Sequence, residues 1–207
     1  MASVVDICNL ALAHLGNEAT VSSISPPDGS VEAMHCARFY PIARDALLEP
    51  HAWHFALRRA TLNPLATSET PPSWVAAFAL PNGCLRPLRV LLPGAVDDTA
   101  GEEFTVETLS DGTKVLFTVA EEASLVFIAA VSDTTRFTPL FAAALARMLA
   151  SYLAGPLIKG KAGGQVAAAQ YEFFVKVELP AALRSDASGR KVSVYENHVP
   201  GALAARR

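Results

Sequence analysis

Cysteine, long apolar runs and clustered positive charge are all scarce in this chain, and each scarcity closes off a class of function. The three cysteines, Cys8, Cys36 and Cys84, are widely spaced and form no CxxC pair. Neither a disulfide framework nor a zinc knuckle is encoded, and reduced, partly buried thiols are expected. Seventeen Lys and Arg stand against twenty Asp and Glu, a formal net charge of -3, with a pI near 5.9. Wrapping a duplex requires clustered cations, so duplex binding is not expected as the main task. Arg147, Gly155-Pro156 and turn residues break the longest apolar stretches, which leaves none with the roughly 18 uninterrupted residues of a membrane helix. No membrane partner is expected. Residues 1–6 lack a positive region and reach an acid almost at once, so no secretory leader is read there and the chain is expected to stay in the cytoplasm where it is made.

Catalytic motifs are missing as well. There is no nucleophile elbow and no zinc-protease helix, and the glycines of residues 160–164 lack the preceding strand and the Lys-Ser/Thr ending of a phosphate-binding loop. That stretch reads as a hinge between helices. His51 and His54, three apart, are spaced to share a helix face, and His35 with Cys36 are conceivable further ligands. A structural metal site needs a closed ligand set, however, and no second pair is present. The histidines are therefore read as packing or surface residues. Asp97, Asp98, Glu102 and Glu103 surround Thr99-Ala100-Gly101 without EF-hand spacing and read as a solvated acidic hairpin loop. No enzyme activity, metal or cofactor is expected.

What the sequence does contain is periodicity and punctuation. At 207 residues the chain can bury one core, or one core with a satellite. Its 51% apolar content and mean hydropathy of +0.29 are high for a lone subunit and point to an oligomer. Ser3 and Asp6 form a capping box before a helix over residues 4–15. After a turn-rich connector, Asp28 or Ser30 caps a second helix that runs to residue 49, with Pro41 bending it or lying near its first turn. Pro50 ends this pattern, and Trp53, Phe55, Leu57 and Arg59 then alternate with a period near two, which a short helical turn leading into a strand through Ala60 and Leu62 fits. Between residues 74 and 131 strands dominate, with turns at Pro81-Asn82-Gly83 and at Ser110-Asp111-Gly112-Thr113. Thr138-Pro139 opens a helix to about residue 154, and a further helix is predicted over 165–183.

The resulting fold class is α+β. Residues 1–62 and 137–184 form a helical bundle, residues 63–136 an inserted antiparallel β-sheet or barrel, and residues 185–207 an extended C-terminal arm. The arm carries four basic and two acidic residues, so it is weakly positive beside an acidic body. Val192, Val194 and Tyr195 alternate as an added strand does when it pairs with a sheet edge, and Leu203 supplies a late apolar anchor. These four residues are the candidate partner-binding set, with a loose, disordered terminus as the alternative reading of the same segment. Trp53, Phe55, Arg58 and Arg59 resemble a stacking surface for single strands, but two arginines are few for that task. Core aromatics with exposed arginines are the better reading, and Arg58 and Arg59 become candidates for salt bridges between subunits.

Two segments carry a family resemblance: Ile7-Cys8-Asn9-Leu10-Ala11-Leu12 closing on Leu15-Gly16, and the stretch FYPIARDALLEPHAWHFALRRATL over residues 39–62. Together they resemble the head-to-tail adaptor proteins of short-tailed phages, the tail tubular protein A type. The resemblance covers residues 4–62, and the order helices, sheet, helices, tail continues it. It implies a structural virion protein, made in the host cytoplasm, that assembles as a closed ring of about twelve copies. Such a ring binds the portal on one side and the tail nozzle or fibre proteins on the other, with DNA only as passing cargo. Another small stopper ring or tail-assembly protein of a phage is the alternative.

Overall fold

The computed structural model describes residues 2–95 and 101–189, and the fold is α+β. Helix α1 (Val4–Ala13) starts as its capping box predicts. The Ser3 hydroxyl accepts the Asp6 N–H at 3.1 Å and the Asp6 carboxylate accepts the Ser3 N–H at 2.8 Å, bonds that hold the Asp6 carboxyl below the usual carboxylate range. Helix α2 (Val31–Leu48) is capped by Ser30, whose hydroxyl accepts the Ala33 N–H at 3.1 Å, and Pro41 lies inside it. Thr138 caps α3 (Pro139–Ile158) through the Phe141 N–H, with Pro139 in the first turn.

Helices α1, α2 and α4 (Gly160–Phe173) all pack on α3, which is the centre of the larger core. By length and composition α3 is apolar enough to cross a membrane, yet 61% of its apolar window is buried inside the fold, as befits a central core helix. Cys8 and Cys36 are buried here and free; the Cys8 thiol is pushed up by its hydrogen bond to Cys36 and by burial. One charged side chain on α3 joins several elements. Arg147 bonds Glu178 at 3.1 Å and Gln170 at 2.8 Å, and its guanidinium lies 4.5 Å from the Phe173 ring centre. Gln170 in turn donates to the His14 carbonyl at the end of α1.

The second half of the bundle departs from the sequence reading in three places. Helix α3 runs through Gly155-Pro156 to Ile158 instead of stopping near residue 154, because the proline forgoes a ladder bond close to the helix end, where few remain to lose. Residues 160–164 are helical and not a hinge. The reversal is made at Lys159 and Gly160, both with φ near 60°, and the φ of 61° and ψ of 166° at Lys159 lie in a region that glycine favours. Finally, α4 continues through a π-helical turn (Phe174–Glu178) into α5 (Leu179–Ser188). Pro180 offers no N–H to the carbonyl four residues back and crowds it, so the helix widens and the Leu179 N–H bonds the Phe174 carbonyl instead. Residues 185–188, predicted as part of the extended arm, thus belong to α5. The remainder of the arm, Val192, Val194, Tyr195 and Leu203 included, lies outside the described residues.

Among the described residues, seven strands form two antiparallel sheets. One has the order β1 (Leu57–Thr61), β7 (Ser124–Ala129), β4 (Cys84–Leu91), and the other β2 (Asn63–Pro64), β3 (Ala76–Ala79), β6 (Lys114–Thr118), β5 (Phe104–Thr108). Pro87 is tolerated because β4 is an edge strand with two register irregularities. Strand β7 is the wall between two cores. Leu125 and Phe127 join Phe78, Val90 and Leu116 between the sheets, while Ile128, on the other face, joins the helical core. Opposite sides of one strand serve both cores because successive side chains alternate.

The α3–α4 joint yields two tests. A Cβ on Gly163 would lie 3.0 Å from the Ala154 carbonyl oxygen, whereas none of the neighbours of Gly164 comes within 4 Å. Gly163→Ala is expected to destabilise by about 1–3 kcal/mol through overpacking, and Gly164→Ala to stabilise by roughly 0.5–1 kcal/mol through helix propensity; urea unfolding separates the two. Lys159→Gly relieves the strained φ and is expected to raise stability by about 1 kcal/mol in the same assay.

Candidate functional site

The chain leaves α2 and reaches β1 through a tight turn that a single tryptophan holds. Trp53 is fully buried, donates its indole N–H to the Leu47 carbonyl at 2.9 Å, and lies edge-on to Phe141 with ring centres 4.9 Å apart. The Trp53 N–H bonds the His51 carbonyl, and the Ala56 and Leu57 N–H groups both bond the Trp53 carbonyl. The strand begins at Leu57, so the expected short turn before it is built on a buried ring. That turn aims His51 and His54 at the end of α5.

Both histidines meet Asp186 there. His51 Nε2 is 3.1 Å and His54 Nδ1 3.0 Å from the same oxygen, Oδ2, while Oδ1 accepts the His54 backbone N–H at 3.1 Å. Asp186 is 6% exposed, whereas the two imidazoles are open to solvent on one side. A buried carboxylate is costly unless its oxygens are bonded, and here both are. The two imidazoles point at one carboxylate oxygen in hydrogen-bond geometry. Among the described residues, no group of three or more His, Cys, Asp or Glu is placed to hold a metal ion. The constellation works as a clamp that ties the last turn of α5 to the turn after α2.

Beside the clamp lies a cleft of about 860 Å³ between the three-stranded sheet and the helices. Its floor is one face of the sheet. Arg59 and Arg89 both register with Val126, one from each flanking strand, so the two arginines stand on either side of a buried valine. Leu57 and Leu88 extend the apolar floor, and His51, His54, Arg58, Asp186 and Ala187 form the walls. Arg58 is folded back, donating to the Phe55 and Leu57 carbonyls at 3.2 and 2.8 Å. Nε of Arg89 is buried with no hydrogen-bond partner among the described residues. Among the described lining residues, three arginines stand beside one aspartate.

The structure thus gathers Arg58, Arg59, His51 and His54 into one place, and it adds two residues that sequence reasoning passed over. Asp186 had a signal, since it lies four residues after buried Ala182 and continues the buried side of α5. Arg89 stood inside a predicted strand with nothing local to mark its face. Of the acidic loop, Asp97 and Asp98 lie outside the described residues, and the Glu102 N–H bridges to the Val90 carbonyl at 2.8 Å. No family model matches the chain, and no curated protein matches it either.

Removing the clamp has a defined cost. Asp186→Ala strands the His54 N–H and frees the end of α5, and is expected to lower stability by about 1–3 kcal/mol. Asp186→Asn keeps one acceptor for that N–H and should fall between the alanine variant and the wild type. Urea unfolding midpoints give the ranking.

Proposed function

We propose that this chain is a structural subunit of a phage virion, the head-to-tail adaptor that forms a ring between the portal and the tail nozzle and encloses part of the DNA path. The observation that carries the reading is the apolar surface left open on two helical elements. On α2, Val31, Met34 and Ile42 are each more than half exposed and fall on one stripe with Arg38. On the α4 to π-turn segment, Tyr171, Phe173, Val175 and Val177 are 42–50% exposed. Both elements pack on α3. A ring subunit needs two unlike flanks, because each neighbour meets a different one. Open apolar surface of this kind marks a protein that buries it against partners.

The family resemblance in residues 4–62 supplies the rest of the reading: about twelve copies as the ring number, portal and nozzle or fibre proteins as partners, assembly in the host cytoplasm and residence in the virion neck. The role is mechanical, with no catalytic step and no cofactor. An acidic body suits it, since like charge keeps passing DNA from sticking. The arm that begins after Gly189 is the element assigned to partner docking, through Val192, Val194, Tyr195 and Leu203.

Sedimentation velocity of the chain mixed with the portal ring of its own virus tests the role. Co-sedimentation at about one copy per portal subunit is the expected result for a ring matched to its partner, and absence of any complex across salt conditions rejects the adaptor reading. A chain truncated after Gly189 keeps Asp186 and its clamp, so it is expected to melt like the full chain while losing portal binding. Undiminished portal binding by the truncated chain removes the docking role from the arm.

A further inference from the structure

We propose that α2 of one copy of this chain lies antiparallel along the outer face of α4 and the π turn of the next copy. The inference rests on the ring reading above and names the contact between neighbours. Three observations carry it.

The first is the inverted surface of α2. Its exposed residues are Val31, Met34, Arg38 and Ile42, which recur every three or four positions and so form one stripe. Three of the four are large and apolar, whereas a helix face that meets only water carries polar side chains. Cys36, Tyr40 and Leu47 are buried about half a turn around the helix from that stripe, so the stripe points away from α3.

The second is a receiving face on α4. Gly164, Ala168, Tyr171 and Val175 are exposed and follow the same kind of spacing. The two small residues let a second helix approach closely, and the two larger ones add apolar surface beyond them. Within one chain the two faces do not meet. Tyr152 of α3 contacts Phe39 of α2, while Arg147 of α3 bonds Gln170 of α4; five positions apart, they point about 140° from each other at 3.6 residues per turn. Helices α2 and α4 thus sit on different sides of α3, each with its stripe turned outward.

The third is charge. Arg44 with Asp45 and Arg147 with Glu178 are paired inside the subunit. What remains along α2 is Glu32, Arg38, Glu49, and along α4 and the π turn Lys161, Glu172, Lys176. In opposite directions the two rows are complementary, because Arg38 and Glu49 are eleven residues apart and so are Lys161 and Glu172. One antiparallel register sets Glu49 against Lys161, Arg38 against Glu172 and Ile42 on Ala168. Glu49, Arg38 and Lys161 have no ion pair among the described residues, and Lys176 bonds only Oε1 of Glu172. Pairing of α2 with itself about a twofold axis is disfavoured, since it sets two copies of Arg38 side by side. Each copy presents one stripe and one receiving face, and rotation about an axis closes the repeat into a ring.

Thiol cross-linking of the full chain tests the register. A chain carrying Ile42→Cys and Ala168→Cys, both at exposed positions, is expected to give a ladder of covalent oligomers with a short bis-maleimide, either concentrated in solution or bound to the portal ring. Each single variant is expected to stay at the wild-type background. Moving the second thiol to the exposed Ala162, about 9 Å along the helix, is expected to abolish the ladder. No ladder from I42C/A168C under either condition overturns the contact, as does I42C alone linking into dimers or an equal ladder from I42C/A162C. Glu49→Lys and Lys161→Glu are each expected to weaken association roughly two- to fivefold, and the chain with both to recover it, as an exposed ion pair dictates; equal ladders from all three remove the register. The portal experiment reads the adaptor role independently. A chain that ladders free and ignores the portal keeps the contact and loses the role, while one that fills portal rings without laddering on them does the reverse.

Discussion

Burial of one indole ring governs the architecture. Trp53 sits at the junction of the helical core and the three-stranded sheet, held by its bond to the Leu47 carbonyl and by edge-on contact with Phe141 and His51. A tryptophan buries on the order of 200 Å², so its seat decides where the chain turns between α2 and β1. From that seat follow the direction of β1, its pairing with β7, and the placing of His51 and His54 over α5. The cleft is a consequence of the same turn. Its floor is the sheet that β1 enters, and its wall is the turn itself.

Around that junction, polar contacts fix orientation where apolar packing alone is permissive. Leucines and alanines on α3 allow many helix arrangements of similar energy, since non-directional burial tolerates repacking. Arg147 admits few. Its bonds to Glu178 and Gln170 set how the π turn and α4 lie against α3, and the Gln170 bond to the His14 carbonyl carries the register on to α1. Asp186 does the same for α5. Breaking such partly buried pairs leaves charges stranded, so the alternatives are penalised more than the native arrangement is stabilised.

Features set by near neighbours in sequence were legible without coordinates. The caps at Ser3, Ser30 and Thr138, the turns at Gly83 and Gly112, and the α+β order all depend on residues within a few positions of one another. The joint at Lys159 was not legible, because a glycine cluster normally marks a hinge and the close approach of Gly163 to the Ala154 carbonyl depends on how two helices cross. Asp186 was read as tail because an aspartate near Ser and Gly looks like a breaker. Only the histidines, more than 130 positions earlier in the chain, make its burial affordable. Arg58 and Arg59 were marked by type, but that they share a cleft with Arg89 depends on β7 lying between two strands far apart in sequence.

The distribution of charge and apolar surface has a common logic. A subunit that must remain separate before assembly cannot rely on large apolar patches alone, since those associate without regard to partner or geometry. Here the open apolar side chains lie on α2 and the α4 to π-turn segment, while the cleft between sheet and helices has an apolar floor bordered by arginines. In the ring proposed above, the open apolar side chains are what neighbouring copies would cover. The cleft keeps its shape only while its walls hold. That shape is fixed by Trp53 on one side and by the Asp186 clamp on the other, which is why a buried carboxylate is retained at the end of a helix where an apolar residue would pack at lower cost.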